Sequence, residues 1–222
     1  MNKLNPAEQF VSYALNIGAM ELLPNGRELK SKRISPYFFN SGLFNTGESI
    51  SNLAKAYAGA INRRPFPRGV IFGPAYKGIP LATAVAQALG GKIGYAFNRK
   101  EAKDHGEGGV IVGASLKGEE VIIVDDVMTT GTSSGEAVEI TIANGGIPIA
   151  CIIAFDRQER GKEGKLSAVQ EFQKNYGIPV YAAATLTDLI LFLEKTPAES
   201  GDDNIGEIIE KILAYRKEYG VD

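Results

Sequence analysis

The sequence predicts an α/β fold built on a mostly parallel central sheet flanked by helices. Three observations predict it. Short apolar runs alternate along the chain with segments of helical periodicity. The clearest run, Val121–Val124, is apolar at every position, as expected of a strand covered on both faces. No internal repeat, low-complexity tract or linker interrupts the pattern, so the 222 residues read as a single domain.

The first helix is expected to start at Asn5 as cap, with Pro6 at its first position and Glu8 reaching back. Phe10, Val11, Ala14 and Leu15 form its apolar face, and Gly18 ends it. Tyr37–Asn40 reads as a strand and Ser49–Asn62 as a helix carrying Ile50, Leu53, Ala54 and Tyr57 on one face. Residues Arg64–Pro67 form a turn, Val70–Phe72 a strand, Gly78–Leu89 a small-residue helix and Ile93–Phe97 a strand. After Val121–Val124 come a helix over Ser134–Ala143, a strand over Ile147–Phe155 and a helix over Ser167–Tyr176. A strand over Ile178–Ala183, a helix over Asp188–Lys195 and a final helix over Asn204–Tyr219 complete the chain. Ile205, Ile208, Ile209, Ile212 and Leu213 give that last helix an apolar face.

Composition narrows the function. Apolar residues make up 44% and charged residues 23%, an ordinary globular balance. The net charge of −2 provides no basic field for nucleic acid or an anionic membrane, so anions must be bound by local clusters. A single cysteine, Cys151, lies in an apolar run and reads as an inert core residue. No apolar stretch approaches the roughly 20 residues of a membrane-spanning helix. Met1–Phe10 lacks the basic-then-apolar pattern of a secretory leader, so a cytoplasmic location is expected.

The chemistry concentrates in Val121–Ser134. A buried strand runs into Asp125 and Asp126, then into a loop rich in hydroxyls and glycine, then into a helix. Backbone N–H groups and the hydroxyls of Thr129, Thr130, Thr132 and Ser133 would meet at a helix N-terminus, which favours an anion. Gly131 allows a tight turn and close approach to a phosphate. Two carboxylates would repel that phosphate, so they make sense as partners of ribose hydroxyls, with Mg²⁺ offsetting their charge. A strand–turn–helix with a polar stop would explain one Asp or one Gly, but not the whole string. Neither a G-x-x-x-x-G-K-[ST] nor a G-x-G-x-x-G pattern occurs, which removes the Walker-type and dinucleotide-binding readings.

Other segments add local charge. Asn98–Gly109 carries Arg99, Lys100, Lys103 and His105 between glycines, without apolar periodicity. A solvated loop would explain charge alone. Four cations in a neutral protein also suit a lid over pyrophosphate that excludes water. Lys77 stands between a strand and a helix, where a helix dipole disfavours a cation, so a phosphate role is the better reading. Phe38 and Phe39 should face opposite ways on a strand. Arg157 follows an apolar strand and suits two-point recognition of a carboxylate. Pairing with Asp156 or Glu159 would be the structural alternative, and it fits Arg160 better than Arg157.

Val121–Ser134 resembles the phosphoribosyl pyrophosphate (PRPP) signature of type I phosphoribosyltransferases. Leu29–Ser31, Ser35–Asn40, Phe72–Pro80, Phe97–Gly109 and Asp156–Arg160 resemble orotate phosphoribosyltransferases of the bacterial and fungal kind. The likeness runs from the first helix to the last. Thr130 stands where relatives often have Ala, and Val110-Ile111 occupies a commonly polar or mixed spot. Neither change removes a functional group.

The resemblance implies a small hood formed largely by residues 1–45 and a mobile catalytic loop at 98–109. That loop would reach into a neighbouring subunit's site, which implies a homodimer. PRPP would be held by Lys30, Tyr76, Lys77, Arg99, Lys100, Lys103, His105, Asp125, Asp126, Val127, Met128, Thr129, Thr130, Gly131, Thr132 and Ser133. Lys30, Phe38, Phe39, Thr129 and Arg157 would hold orotate. Lys77, Arg99, Lys103, His105, Asp125 and Asp126 would be catalytic. Mg²⁺ would be bound mainly through substrate and water, with Asp125 or Asp126 as the protein candidates. The reaction implied gives orotidine 5'-monophosphate and pyrophosphate, a step of pyrimidine (UMP) synthesis. Two rival readings share the central motif: a phosphoribosyltransferase for purine or uracil, and a non-enzymatic PRPP sensor.

Overall fold

A computed structural model describes residues 4–66, 69–103, 109–129, 131–161, 164–195 and 205–221, with the backbone alone at 101–103 and 109. A six-stranded sheet has the order β5-β4-β3-β6-β7-β8, where β3 is Val70–Gly73, β4 Gly94–Lys103, β5 Gly109–Gly113, β6 Glu120–Asp125, β7 Ile147–Asp156 and β8 Val180–Thr185. All neighbours pair in parallel except β5, which runs antiparallel to β4 at the edge. A separate antiparallel pair, β1 (Met20–Glu28) with β2 (Ile34–Phe39), forms a hood hairpin.

Alternation along the central strands divides the core in two. Ile71, Ile122, Val124, Ile152 and Ala154 face one cluster, while Val70, Phe72, Val121, Ile123, Cys151 and Ile153 face the other. Both faces of β6 are therefore covered, which is why its sequence shows no polar alternation. The first cluster is roofed by α1 (Pro6–Asn16), α2 (Gly47–Asn62), α3 (Gly78–Leu89), α6 (Leu186–Lys195) and α7 (Ile205–Tyr219). The second is roofed by α4 (Thr132–Ala143) and α5 (Ala168–Tyr176). Among the described residues no helix is long and apolar enough to cross a membrane.

The start of α1 is as expected: Asn5 Oδ1 accepts from the Ala7 and Glu8 N–H groups, and Glu8 returns a carboxylate to the Asn5 N–H. Most other boundaries move by a few residues. Two expectations change more. Strand β1 was absent from the sequence reading because Pro24-Asn25-Gly26 in its middle reads as a turn. The ladder shifts register between Leu22 and Arg27, and that irregularity accommodates the proline.

The second change concerns the expected loop at 98–109. Residues Asn98–Lys103 continue β4, paired with β5. An edge hairpin satisfies its backbone through the partner strand, so no apolar periodicity announces it. Residues 104–108 lie outside the described residues.

Candidate active site

Three loops meet at the carboxyl end of the sheet, where open α/β sheets bind ligands: Pro74–Lys77 after β3, Asp126–Gly131 after β6 and Arg157–Gly161 after β7. The hood strand β2 lies beside the last of these. Asp125 is buried: Oδ1 accepts from the Asp126 N–H at 2.9 Å and Oδ2 from Ser134 Oγ at 2.9 Å. Burial pushes its carboxyl pKa up and the Asp126 charge adds to this, against the lowering by its hydrogen bonds. Beneath it, the fully buried Tyr57 of α2 donates its hydroxyl to the Asp125 carbonyl at 2.7 Å, so a helix fixes the end of the strand.

Asp126 stands nearer the mouth. Its Oδ2 accepts from Ser41 Oγ at 2.8 Å and from Lys77 Nζ at 2.5 Å, and its Oδ1 accepts from the Val127 N–H at 2.8 Å. Lys77 begins α3, and its side chain is 69% exposed. A cation at a helix N-terminus is disfavoured by the dipole, and the Asp126 carboxylate offsets that.

The loop holding Lys77 is packed tightly. A Cβ at Gly73 would lie 1.9 Å from the Gly78 carbonyl oxygen, so only glycine allows this approach. Asn98 on β4 accepts the Ala75 N–H at 2.9 Å and so ties the edge hairpin to the loop. Tyr76 is exposed, with the Lys100 ammonium 4.8 Å from its ring centroid. Arg99 is half-buried on the same strand.

After β6 the chain turns through Gly131, which adopts φ 73 as the cap of α4. That left-handed conformation suits glycine. Gly131 brings no cap side chain to α4, and the start of that helix, with its dipole, faces the mouth of the site, a position that favours an anion. Thr129, Thr132 and Ser133 are exposed around this turn, and Val127 and Met128 are half-buried. Thr130, the side chain of Lys103 and His105 lie outside the described residues. Lys30 is exposed in the turn between β1 and β2, and no described contact joins it to the loop after β6. Among the described residues no three metal-ligating side chains cluster.

Phe38 and Phe39 do face opposite ways. Phe39 is core, packed on Phe10, Phe44 and Phe155, whereas Phe38 is half-buried beneath the Arg27 guanidinium at 4.7 Å. Arg157 departs from expectation. Its Nε donates to Glu159 Oε1 at 2.8 Å, its NH2 donates to Ser35 Oγ at 3.0 Å, and its guanidinium lies 4.3 Å from the Tyr37 ring centroid. The sequence reading assigned such pairing to Arg160, but Arg160 donates to the Glu218 carbonyl instead. Gln158, in the left-handed region at φ 53, lies between Arg157 and Glu159. Ser41 and Tyr57 were missed because their partners lie 85 and 68 positions away and nothing in their own neighbourhoods marks them. Asn98 and Ser134 stood in segments already singled out, but the sequence assigned neither a role of its own.

Comparison with known proteins agrees with this geometry. The profile of the phosphoribosyl transferase domain matches residues 44–182. An orotate phosphoribosyltransferase from Nitrosococcus oceani is 54% identical over 198 residues, covering 87% of each chain. The chain belongs to the orotate phosphoribosyltransferase family. A family member from Marinobacter nauticus is 48% identical over 217 residues, covering 96% of this chain and 98% of its own. The crystal structure of the orotate phosphoribosyltransferase from Francisella tularensis superposes with a TM-score of 0.82 at 35% identity, covering 96% of this chain and 99% of that one. Membership of this family, rather than of a purine or uracil family, matches the segments outside the central motif.

Proposed function

We propose that the site transfers the 5-phosphoribosyl group of PRPP to orotate, with the residues after β6 holding the donor and Arg157 holding the orotate carboxylate. The observation that carries this reading is the meeting of Lys77 with Asp126 at the strand end that leads through Gly131 into α4. A cation, an acid pair and a helix N-terminus are thereby gathered at one strand end.

In the reaction, a ring nitrogen of orotate bonds to C1 of the ribose as the bond from C1 to pyrophosphate breaks. The bonding pair leaves with pyrophosphate. The transition state resembles an oxocarbenium ion, as in glycoside chemistry. Orotate attacks as the anion of that ring nitrogen, its N–H proton having passed to water, so no strong base is needed and the protein works by positioning and electrostatics.

The 5-phosphate takes the N–H groups and hydroxyls of Thr129–Ser133, and the ribose hydroxyls face Asp125 and Asp126. Pyrophosphate draws Lys77 away from Asp126 and frees the Asp126 carboxylate for the ribose. Arg99, Lys100, Lys103 and His105 join Lys77 on the leaving group. Lys30, Phe38 and Phe39 border the base with Thr129.

Mg²⁺ would supply charge neutralisation of the pyrophosphate. The oxygens of both acids are engaged by protein donors, but Asp126 is nearer solvent and one of its donors is the exposed Lys77, so Asp126 would be the carboxylate to face the ion once Lys77 turns to pyrophosphate. Substrate oxygens and water would complete its shell. We further assign a homodimer in which the 98–109 segment completes the neighbouring site, a cytoplasmic location and a place in UMP synthesis.

The test is loss of orotate ultraviolet absorbance on mixing protein, Mg²⁺ and PRPP, with pyrophosphate released in step. Folded protein that binds PRPP but spares orotate would refute the reading, and omission of the metal should abolish turnover. Lys103→Ala should lower kcat by about 100-fold, because its contact strengthens as charge builds on the leaving group. A rise confined to KM would make that lysine a binding group only.

A further inference from the structure

We propose that Glu159 is a positioning residue for base recognition: it sets the orientation in which Arg157 receives the orotate carboxylate, and it ties that orientation to the C-terminal helix. The proposal rests on the reading of Arg157 given above. Glu159 is no surface partner, since its side chain is 11% exposed. Four donors converge on its carboxylate. Oε1 accepts from Arg157 Nε at 2.8 Å and from the Tyr37 hydroxyl at 2.9 Å. Oε2 accepts from the Tyr215 hydroxyl at 3.1 Å and lies 3.5 Å from Arg33 NH1. A carboxylate offers about four lone-pair sites, so this one is saturated and its own rotamer is locked.

The consequence falls on Arg157. Its guanidinium is held along one edge by Glu159, at NH2 by Ser35 and across one face by the Tyr37 ring. Ser35 is itself fixed, donating to the Tyr37 carbonyl at 2.7 Å. Arg157 Nε and NH2 are engaged by Glu159 Oε1, the latter at 2.6 Å, and NH2 also by Ser35, so NH1 is the amino group that the fixed plane presents to the orotate carboxylate. Two guanidiniums, Arg33 and Arg157, face the one Glu159 carboxylate, so Glu159 by itself does not offset both. The neighbouring Asp156 carboxylate instead accepts the Gln158 N–H at 2.8 Å. Burial raises the hydroxyl pKa of Tyr37, and burial with the Glu159 charge pushes that of Tyr215 up to about 12, so both remain donors at neutral pH.

Glu159 is also a junction of three remote segments. Arg33 of the hood donates to the carbonyls of Arg160 and Gly161 and lies 4.7 Å from the Tyr219 ring centroid. The Arg160 N–H reaches the Tyr219 carbonyl, and the Val221 N–H reaches the Gln158 carbonyl. The end of α7 is thus closed onto the segment that carries Arg157, and the Tyr215 hydroxyl is its link to the anchor itself.

Steady-state KM values for orotate and PRPP should be measured for wild type, Glu159→Gln, Tyr215→Phe, Arg157→Ala and the Arg157→Ala/Glu159→Gln pair. Glu159→Gln should raise the orotate KM about ten-fold while the PRPP KM and kcat stay within about two-fold. Tyr215→Phe, which removes one oxygen and keeps the helix packing, should raise the orotate KM about three-fold in the same selective way. In the Arg157→Ala background, Glu159→Gln should add nothing further, since the anchor acts only through the guanidinium. An equal rise in both KM values would mark Glu159 as a general structural tie and overturn the proposal. So would a further loss in the double variant, or an unchanged orotate KM in both Glu159→Gln and Tyr215→Phe. If Arg157→Ala leaves orotate use intact, the base-site reading falls and takes this proposal with it. If Arg157→Ala is impaired and Glu159→Gln is not, the positioning role alone is refuted.

Discussion

Lys32 shows how much a single residue can work against its backbone. It sits in the turn between β1 and β2 at φ 67, where an L side chain crowds the following carbonyl. Its ion pair with Glu28 is largely exposed and contributes little. Lys32→Gly should therefore stabilise the protein by about 1 kcal/mol, read as a higher urea midpoint. An unchanged or lower midpoint would mean the turn is not strained there. Asp125 makes the same point through charge. Its raised carboxyl pKa means that the folded chain holds the proton more tightly than the unfolded chain does. The penalty is absent below the ordinary carboxylate pKa and grows as pH rises through the raised value. Asp125→Asn should accordingly melt higher than wild type at pH 7, by a margin that shrinks at pH 4, while turnover falls about ten-fold or more. A melting temperature lower than wild type at pH 7 would show that the hydrogen bonds to Ser134 and Asp126 outweigh the burial.

At the scale of elements, the strand-to-helix connections set the site. The β3–α3 loop carries Lys77 to Asp126 only because the Gly73 and Gly78 backbones touch. Gly73→Ala would force that contact open. It should lower stability by about 3 kcal/mol and raise the PRPP KM, measured by urea unfolding and by initial rates. A variant with normal stability and normal PRPP KM would show that the loop tolerates a different path. Strand β6 and its loop were legible before the structure, because a both-sided apolar run leading into acids, hydroxyls and glycine has few other uses. Strands β1 and β5 and the continuation of β4 were not. Their pairing is made by backbone groups across a bulge and at a sheet edge, where side-chain pattern carries little information.

The whole molecule raises the question of where one active site ends. If the 98–109 segment serves the neighbouring site, Lys103 and Arg157 of one chain act in different sites. Mixing Lys103→Ala with Arg157→Ala protomers, each nearly inactive alone, should then restore activity. Half of randomly mixed dimers are hybrids, and each hybrid has one intact site, so recovery should approach about a quarter of wild type. No recovery, in a mixture shown to exchange subunits, would confine each segment to its own site. The same scale explains the placement of Glu159, which joins the hood, the β7 exit and α7.

What the sequence by itself determined was local: the apolar strands, the caps, the glycine at φ 73 before α4 and the acid–hydroxyl loop, each specified by residues within a dozen positions. The family likeness extended this to the whole chain. Only the tertiary structure decided which charges meet. Lys77 and Asp126, Ser41 and Asp126, Arg157 and Ser35, and Glu159 and Tyr215 are separated by 49, 85, 122 and 56 positions. Charges attract whatever partner the packed elements bring within reach, and that partner is set by the sheet order and the hood, not by neighbours in the chain.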